Sequence, residues 1–216
     1  MPSHSASAAR TEAIFRQVGA LLENDHFVNI KGRHSSRWLD KDAVNSHLPL
    51  VKELCQLLWK ASSPLEPEII CGPAIGGLIV AMWTAHLAGL PSVFAEHRPA
   101  KEEELRGKFE LRRGYDALVK GKRVLVVDDV VNSGQSVLQT ADAVSAAGGK
   151  VCGISCYVDC GNVPTETLGG SPYHYLLQWK IATWAEGEVP PEVSAHPVNV
   201  QHAHGAEYLA RLTAKN

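Results

Sequence analysis

The sequence predicts an α/β protein built on a central, mostly parallel sheet with helices on both faces. Three observations predict it. From Pro67 onward short apolar runs alternate with longer helical ones, the connections are short, and glycines stand where strands give way to helices. The 216 residues suffice for one domain, or one domain with a small appendage. With 45% hydrophobic and 20% charged residues, and 18 Gly and 12 Pro spread along the chain, wholesale disorder, collagen-like repeats and coiled coil are excluded.

Taken in order, Ile14, Phe15, Val18, Leu21 and Leu22 recur at helical spacing and predict a first helix. Val44, Leu48, Val51, Leu54, Cys55 and Leu58 predict a second. Between them HFVNIKGRHSSRWLDKD predicts short strands joined by a turn at Gly32. EIICG reads as a strand, GLIVAMWTAHLAG as a helix closed by Gly89, and SVFAE as a second strand. KRVLVVDD is then a buried strand, SVLQTADAVSAAGG a helix ending at Gly148 and Gly149, and KVCGISCYVD another strand. Two segments break the rhythm. Glu96 to Tyr115 is dense in charge and reads as a mobile lid or excursion, and the polar tail from Pro190, with His196, His202 and His204, reads as a solvated surface segment.

Charge and cysteine usage exclude several functions. Twenty-one Lys+Arg against 23 Asp+Glu leave a formal charge of -2, no field for holding a nucleic acid, though a small anionic ligand needs only a local site. The first residues lack an apolar core, and no run approaches the roughly 20 apolar residues that cross a bilayer, so neither export nor a membrane is expected. Five cysteines without a C-x-x-C pair fit reduced thiols in the cytoplasm. Cys152, Cys156 and Cys160 share one parity of a strand, but extended geometry spaces such residues about 13 Å apart, too far for one ion. They read as core thiols.

The strongest motif is VLVVDDVVNSGQS, residues 124 to 136. A four-residue apolar run delivers Asp128 and Asp129 to the carboxyl end of a buried strand, where ligands of open α/β sheets bind. Carboxylates there can hold sugar hydroxyls or a metal, and the small residues that follow can wrap a phosphate with backbone N–H groups at the positive end of a helix. A strand, a polar turn and a capped helix would be the plain alternative; two adjacent acids directly after VLVV argue against it. The second motif is CGPAIGG, residues 71 to 77, whose Gly72, Gly76 and Gly77 permit close backbone approach to a pyrophosphate. No P-loop motif is present, and no G-x-G-x-x-G follows a strand.

These motifs resemble the type I phosphoribosyltransferases, and within them the orotate branch. VLVVDDVVNSGQS is similar to the family's signature for phosphoribosyl pyrophosphate (PRPP), CGPAIGG to its pyrophosphate loop, and FVNIKGRHSSRWLDKD to its amino-terminal base-site segment. FAEHRPAKEEELRGKFELRRGY resembles a strand, flexible loop and LRRG stretch of that branch, and PYHYLLQWKIATW its carboxyl-terminal part. The resemblance implies the type I phosphoribosyltransferase fold with a small hood subdomain made from both ends of the chain. The expected division is an amino-terminal base-site segment over residues 1–66, a core over 67–160 carrying a lid at 96–115, and a carboxyl-terminal hood strand and tail over 161–216. It further implies Mg²⁺, a homodimer whose lids close over the neighbouring site, and transfer of 5-phosphoribosyl from PRPP to orotate, giving orotidine 5'-monophosphate and pyrophosphate. Transfer to another base, uracil or a purine, and a PRPP-binding regulatory protein without turnover are the alternatives.

Carried over by position, the resemblance gives Asp128 and Asp129 the ribose hydroxyls and an indirect hold on Mg²⁺, mainly through PRPP. It counts Val130 and Val131 among the PRPP contacts and gives Asn132, Ser133, Gly134, Gln135 and Ser136 the 5-phosphate, and Gly76 and Gly77 the pyrophosphate. Lys101 is the first choice for a catalytic lid cation, with Arg98, also a PRPP contact, and His97 next; solvation is the ordinary fate of such charges. Arg112 and Arg113 could bind phosphate or anchor the lid's base by ion pairs. Phe27, Lys31, Asn132 and Cys160 fall in the base site, where Phe27 and Trp38 line the pocket or pack in the core. Two positions depart from the family: Asn132 stands where it has Thr, and Asp159-Cys160 where it has Asp-Arg, whose arginine pairs with the carboxylate of orotate. A thiol cannot replace a bidentate guanidinium. Lys31, Arg33 or Arg37 would have to supply that charge.

Overall fold

Six strands form the larger sheet of the computed structural model, which describes residues 4–99 and 107–214. Elements in chain order are α1 (His4–Gln17), β1 (Leu21–Val28), β2 (His34–Leu39), α2 (Leu48–Ser62), β3 (Ile69–Pro73), α3 (Gly76–Ala88), β4 (Ser92–Arg98) and β5 (Lys108–Leu111). There follow α4 (Tyr115–Val119), β6 (Arg123–Val131), α5 (Gln135–Ala146), β7 (Lys150–Asp159), β8 (Tyr173–Gln178), α6 (Pro191–Ser194) and α7 (Gly205–Thr213). The described chain divides into two units: residues 1–12 with 47–179, and residues 13–46 with 180–216.

In the first unit the strand order is β5-β4-β3-β6-β7-β8, parallel throughout except that β5 runs against β4. The sequence dictates this order of burial. Val124, Leu125, Val126 and Val127 are all fully buried, as expected of a parallel strand covered on both faces. Helix α2 buries Val51, Leu54, Cys55 and Leu58, and α5 buries Val137, Thr140, Ala141 and Val144, each an i, i+3, i+4, i+7 stripe. Gly89 ends α3 in the left-handed conformation at φ 68°. Because β3 leads outward to β4 while β6 leads the other way to β7, the chain reverses its winding between β3 and β6. Open α/β sheets bind ligands at the carboxyl ends of the strands flanking such a reversal.

The second unit is the hairpin β1–β2 with the carboxyl-terminal segment. The pair runs antiparallel from Leu21↔Leu39 to Val28↔His34, and Asn29 closes the turn by accepting from the backbone N–H groups of Lys31 and Arg33. A second unit drawn from both an amino-terminal and a carboxyl-terminal segment is therefore present.

Four readings need correction. Leu21 and Leu22 belong to β1, not to a helix, because α1 stops at Gln17 and Gly19 turns the chain at φ 69°. Val44 lies in a short 3-10 turn ahead of α2, and Leu48, at the helix start, is 55% exposed. The charged segment 96–115 is not all excursion: β5 pairs with β4 from Ala95↔Leu111 to Arg98↔Lys108. The tail is not merely solvated. Asn199 N–H donates to the His26 carbonyl (2.8 Å), His204 N–H donates to that of Val28 (2.9 Å), and Val193 is buried. One further strand of the carboxyl-terminal region, β8, pairs in parallel with β7 as an edge of the large sheet.

Candidate functional site

The two motifs meet where the winding reverses. Asp128 and Asp129 lie near the carboxyl end of β6, 7% and 6% exposed. Each carboxylate accepts a hydrogen bond from the next backbone N–H: Asp129 N to Asp128 Oδ1 at 3.0 Å, Val130 N to Asp129 Oδ1 at 2.7 Å. The glycine motif crosses from β3 into α3 directly against them. A Cβ on Gly76 would stand 2.1 Å from Asp129 Oδ2, and one on Gly77 would stand 2.8 Å from the Val127 carbonyl oxygen and 3.0 Å from Asp128 Oδ1. Gly72 in turn has no room for a side chain, since its Cβ would meet the Gly77 carbonyl oxygen at 2.0 Å. The glycines are thus what allows the acids and the start of α3 to share one edge. The peptide bond between Ala74 and Ile75 in this loop is cis.

Beyond the acids, Asp128 and Val130 to Val137 line a small cup of about 100 Å³. Gly134 turns the chain at φ 76° into α5, whose amino end carries no side-chain cap. The first N–H groups of a helix have no partners inside it, so the cup presents backbone donors and the positive end of the helix dipole. Asn132, Ser133, Gln135 and Ser136 are exposed around its mouth. A wider groove of about 690 Å³, lined by Phe109, Leu111, Gln139 and Asp142 among others, lies elsewhere on this unit and touches neither acid. Size alone does not select the site; the acids and amides do.

At the end of β7, Asp159 is 1% exposed, and burial raises its carboxyl above the usual range. Cys160 beside it is 2% exposed, its thiol pushed up to about 12 by burial, and its N–H donates to the Val131 carbonyl at 2.9 Å. Cys160 is therefore tied to the chain directly before Asn132, though it does not itself line the cup. Cys156, buried on the same strand, contacts the Tyr173 hydroxyl at 3.3 Å.

The remaining sequence candidates are dispersed. Lys101 lies outside the described residues. Arg98, at the end of β4, pairs with Glu110 of β5 and donates to the Pro99 carbonyl (2.8 Å). His97 stacks edge-on against Phe109 across the same hairpin. Arg113 holds Glu96 through two hydrogen bonds of 3.0 and 2.8 Å and lies over the Phe94 ring, while Arg112 reaches Glu110 at 3.4 Å. Both are ion-paired at the base of the charged segment. In the second unit Phe27 is 1% exposed, Lys31 is exposed in the hairpin turn, Arg33 donates to Thr183, and Arg37 pairs with Glu23.

For a metal, the acids offer hard oxygen donors of the kind Mg²⁺ takes. Among the described residues no three His, Cys, Asp or Glu side chains converge. That fits an ion held by one or two carboxylates and otherwise by substrate oxygens and water. Two features escaped the sequence reading. Gly161 presses on the Asn132 carbonyl, and Tyr157, wholly buried, contacts Cys55 Sγ at 2.8 Å. Neither carries a motif; only the fold reveals them.

The chain is similar in sequence and fold to known proteins. Residues 40–167, more than half of the chain, match the model of the phosphoribosyl transferase domain. The chain is 36% identical to an orotate phosphoribosyltransferase of Bartonella henselae over 187 residues, covering 85% of this chain and 91% of that one. A phosphoribosyltransferase structure from Corynebacterium diphtheriae superposes with a TM-score of 0.62 at 21% identity, covering 80% of this chain and 96% of the other. An orotate phosphoribosyltransferase from Mycobacterium tuberculosis, solved in complex with PRPP, gives 0.55 at 22% identity, with 80% and 88% covered. Those two likenesses concern the fold. No described helix is long and apolar enough to cross a membrane. Acid pair, glycine loop, amide cup and a relative matching nearly end to end lead to one statement: the chain belongs to the phosphoribosyltransferase family, in the branch of the orotate phosphoribosyltransferases.

Proposed function

We propose that this protein transfers the 5-phosphoribosyl group of PRPP to orotate, giving orotidine 5'-monophosphate and pyrophosphate in pyrimidine biosynthesis. One observation carries the reading: Asp128 and Asp129 stand between a glycine loop against their carboxylates and an amide-lined cup that Asp128 itself helps to line. A sugar bearing phosphate at one end and pyrophosphate at the other matches that order. In transfer, the bond between ribose C1 and the pyrophosphate oxygen breaks, the oxygen keeps the electron pair, and a ring nitrogen of the base bonds to C1 and loses its proton.

Asp128 and Asp129 accept from the ribose hydroxyls and hold the ring against the base. Their negative charge also favours the cationic character that develops at C1, worth most where water is excluded. The N–H groups of Asn132 to Ser136 take the 5-phosphate, and the backbone at Gly76 and Gly77 approaches the pyrophosphate. Mg²⁺ bound with PRPP, near Asp128 and Asp129, would neutralise the leaving group's charge. Lys101, with Arg98 near the base of its segment, supplements that charge from a lid closing over the neighbouring subunit's site.

A homodimer is supported by α3. Ile75 and Met82 are 79% and 58% exposed, with Leu78, Ile79 and Trp83 partly exposed beside them, an apolar face wide for a solitary domain. The five free cysteines suit the cytoplasm, where thiols stay reduced.

Asn132 and Cys160 belong to the proposed base site. A second reading, transfer to a base lacking a carboxylate, is favoured by Cys160: a buried, neutral thiol offers no charge to the carboxylate of orotate. The experiment is pyrophosphate release from PRPP and Mg²⁺ with orotate, uracil, adenine and hypoxanthine. Release with orotate well above the others supports the first reading, and release with another base supports the second. Tight PRPP binding with no release from any base would leave a regulatory protein.

A further inference from the structure

The phosphate cup has a wall that its motif does not encode. Asp159 closes β7 with its carboxylate in the interior, yet it is not among the residues lining the cup. Its Oδ1 accepts from the Gly161 N–H at 3.1 Å, and the Val163 N–H lies 3.3 Å from Oδ2 and 3.4 Å from Oδ1. One carboxylate therefore ties residues 161–163 into a tight turn. A buried carboxylate is costly unless it is hydrogen-bonded, so its presence here asks for a reason.

The turn is what buttresses the cup. Gly161 lies so close to the Asn132 carbonyl that a Cβ would stand 1.5 Å from its oxygen, and its N–H donates to the Val131 carbonyl at 3.4 Å. Behind the left-handed residue Gly134, Leu168 and Val163 crowd to 2.8 and 3.2 Å of where a Cβ would be. Both ends of the Asn132–Gly134 loop are thus braced by residues that follow Asp159. Amides that recognise a phosphate must be held in place before it arrives, since ordering them on binding would weaken it.

We infer that Asp159 is a positioning residue for 5-phosphate recognition: through Gly161 and Val163 its carboxylate fixes the backbone of Asn132 to Gly134, without touching the ligand. This rests on the reading of the cup given above.

Calorimetry with ribose 5-phosphate and, separately, with pyrophosphate and Mg²⁺ tests it. Asp159→Ala strands the Val163 N–H and leaves that of Gly161 only its 3.4 Å contact with the Val131 carbonyl, so ribose 5-phosphate binding should weaken roughly tenfold. Pyrophosphate binding, at the glycine loop, should be unchanged. Asp159→Asn keeps an acceptor oxygen and should restore most of the affinity. Val163→Ala removes a side chain that backs Gly134 without adding a clash, should give a smaller selective loss of the same kind, and keeps the test standing if Asp159→Ala does not fold. Equal ribose 5-phosphate affinity in parent and variants would overturn the inference. Equal weakening toward both ligands would also overturn it, since a merely structural role has no reason to spare the pyrophosphate. A parent that does not bind ribose 5-phosphate would remove the reading of the cup, and this inference with it.

Discussion

Replacing Gly76 by alanine should disable the site while leaving the fold in place. The new Cβ would lie 2.1 Å from Asp129 Oδ2, and ordinary van der Waals contact begins near 3.4 Å, so the carboxylate must retreat by about 1.3 Å. Gly76 is the first residue of α3 and its φ lies outside the left-handed region, so the backbone itself accepts alanine. The steric demand therefore falls on Asp129, a side chain that can swing. A misplacement of about 1 Å in a reacting group costs on the order of 100-fold in rate, or about 2.7 kcal/mol of transition-state stabilisation. The assay is kcat/KM for the base identified by the panel, at saturating PRPP and Mg²⁺, with the melting temperature taken in parallel. A folded Gly76→Ala protein retaining activity within threefold of the parent would refute the placement of Asp129 at the reacting sugar.

Three further outcomes are expected. Met82→Glu puts a charge on the exposed face of α3 and should convert dimers to monomers in sedimentation velocity; an unchanged dimer would move the interface elsewhere. Asp159 has a folded-state pKa above its ordinary value, chiefly through burial, so the folded protein binds more protons than the unfolded chain just above pH 4, and stability is lost as pH rises through the folded value. The melting temperature of Asp159→Asn should accordingly gain on the parent between pH 4 and 7, and a constant difference would contradict the assignment. In the second unit His26 Nε2 and His34 Nδ1 lie 2.7 Å apart, His26 Nδ1 lies 3.0 Å from the His196 carbonyl, and His34 Nε2 is buried without a hydrogen-bond partner. Burial and His26 lower the His34 pKa, so the unfolded chain takes up the proton first and stability falls as pH drops below about 6.5. His34→Asn, which keeps a donor toward His26, should flatten that acid-side decline in a pH series of thermal melts; an unaltered slope would place its origin in another group.

The sequence made the parallel sheet and the acid motif legible because both rest on local pattern. VLVV followed by two aspartates is a buried strand reaching its carboxyl end, and all four apolar residues are fully buried. What local pattern missed depends on partners distant in the chain. Leu21 and Leu22 continue a helical period past Gly19, and only their pairing with Leu39 and Trp38 makes them strand. KFEL alternates polar and apolar residues over only four positions inside a charge-dense segment, too short a run at a shallowly buried sheet edge from which to read β5. Arg112 and Arg113 suit phosphate or ion pairing equally in the sequence, and Glu110 and Glu96 opposite them in space decide for ion pairs. Nor could spacing disclose Asp159, since its significance lies in a turn folded back upon a loop 29 residues earlier in the chain.

The second unit draws its strands from the beginning of the chain and its covering from the end, with His26 and His196 in contact across 170 residues. On a ribosome adding about 5–20 residues per second, the hairpin emerges roughly 10–35 s before the segment that completes it. For that interval His26 and His34 are bare and the backbone later paired with Asn199 and His204 is open to other strands. Ending the chain at Trp179 would make that interval permanent, so newly made chains shortened in this way should precipitate even though every residue of the nucleotide-handling machinery is present.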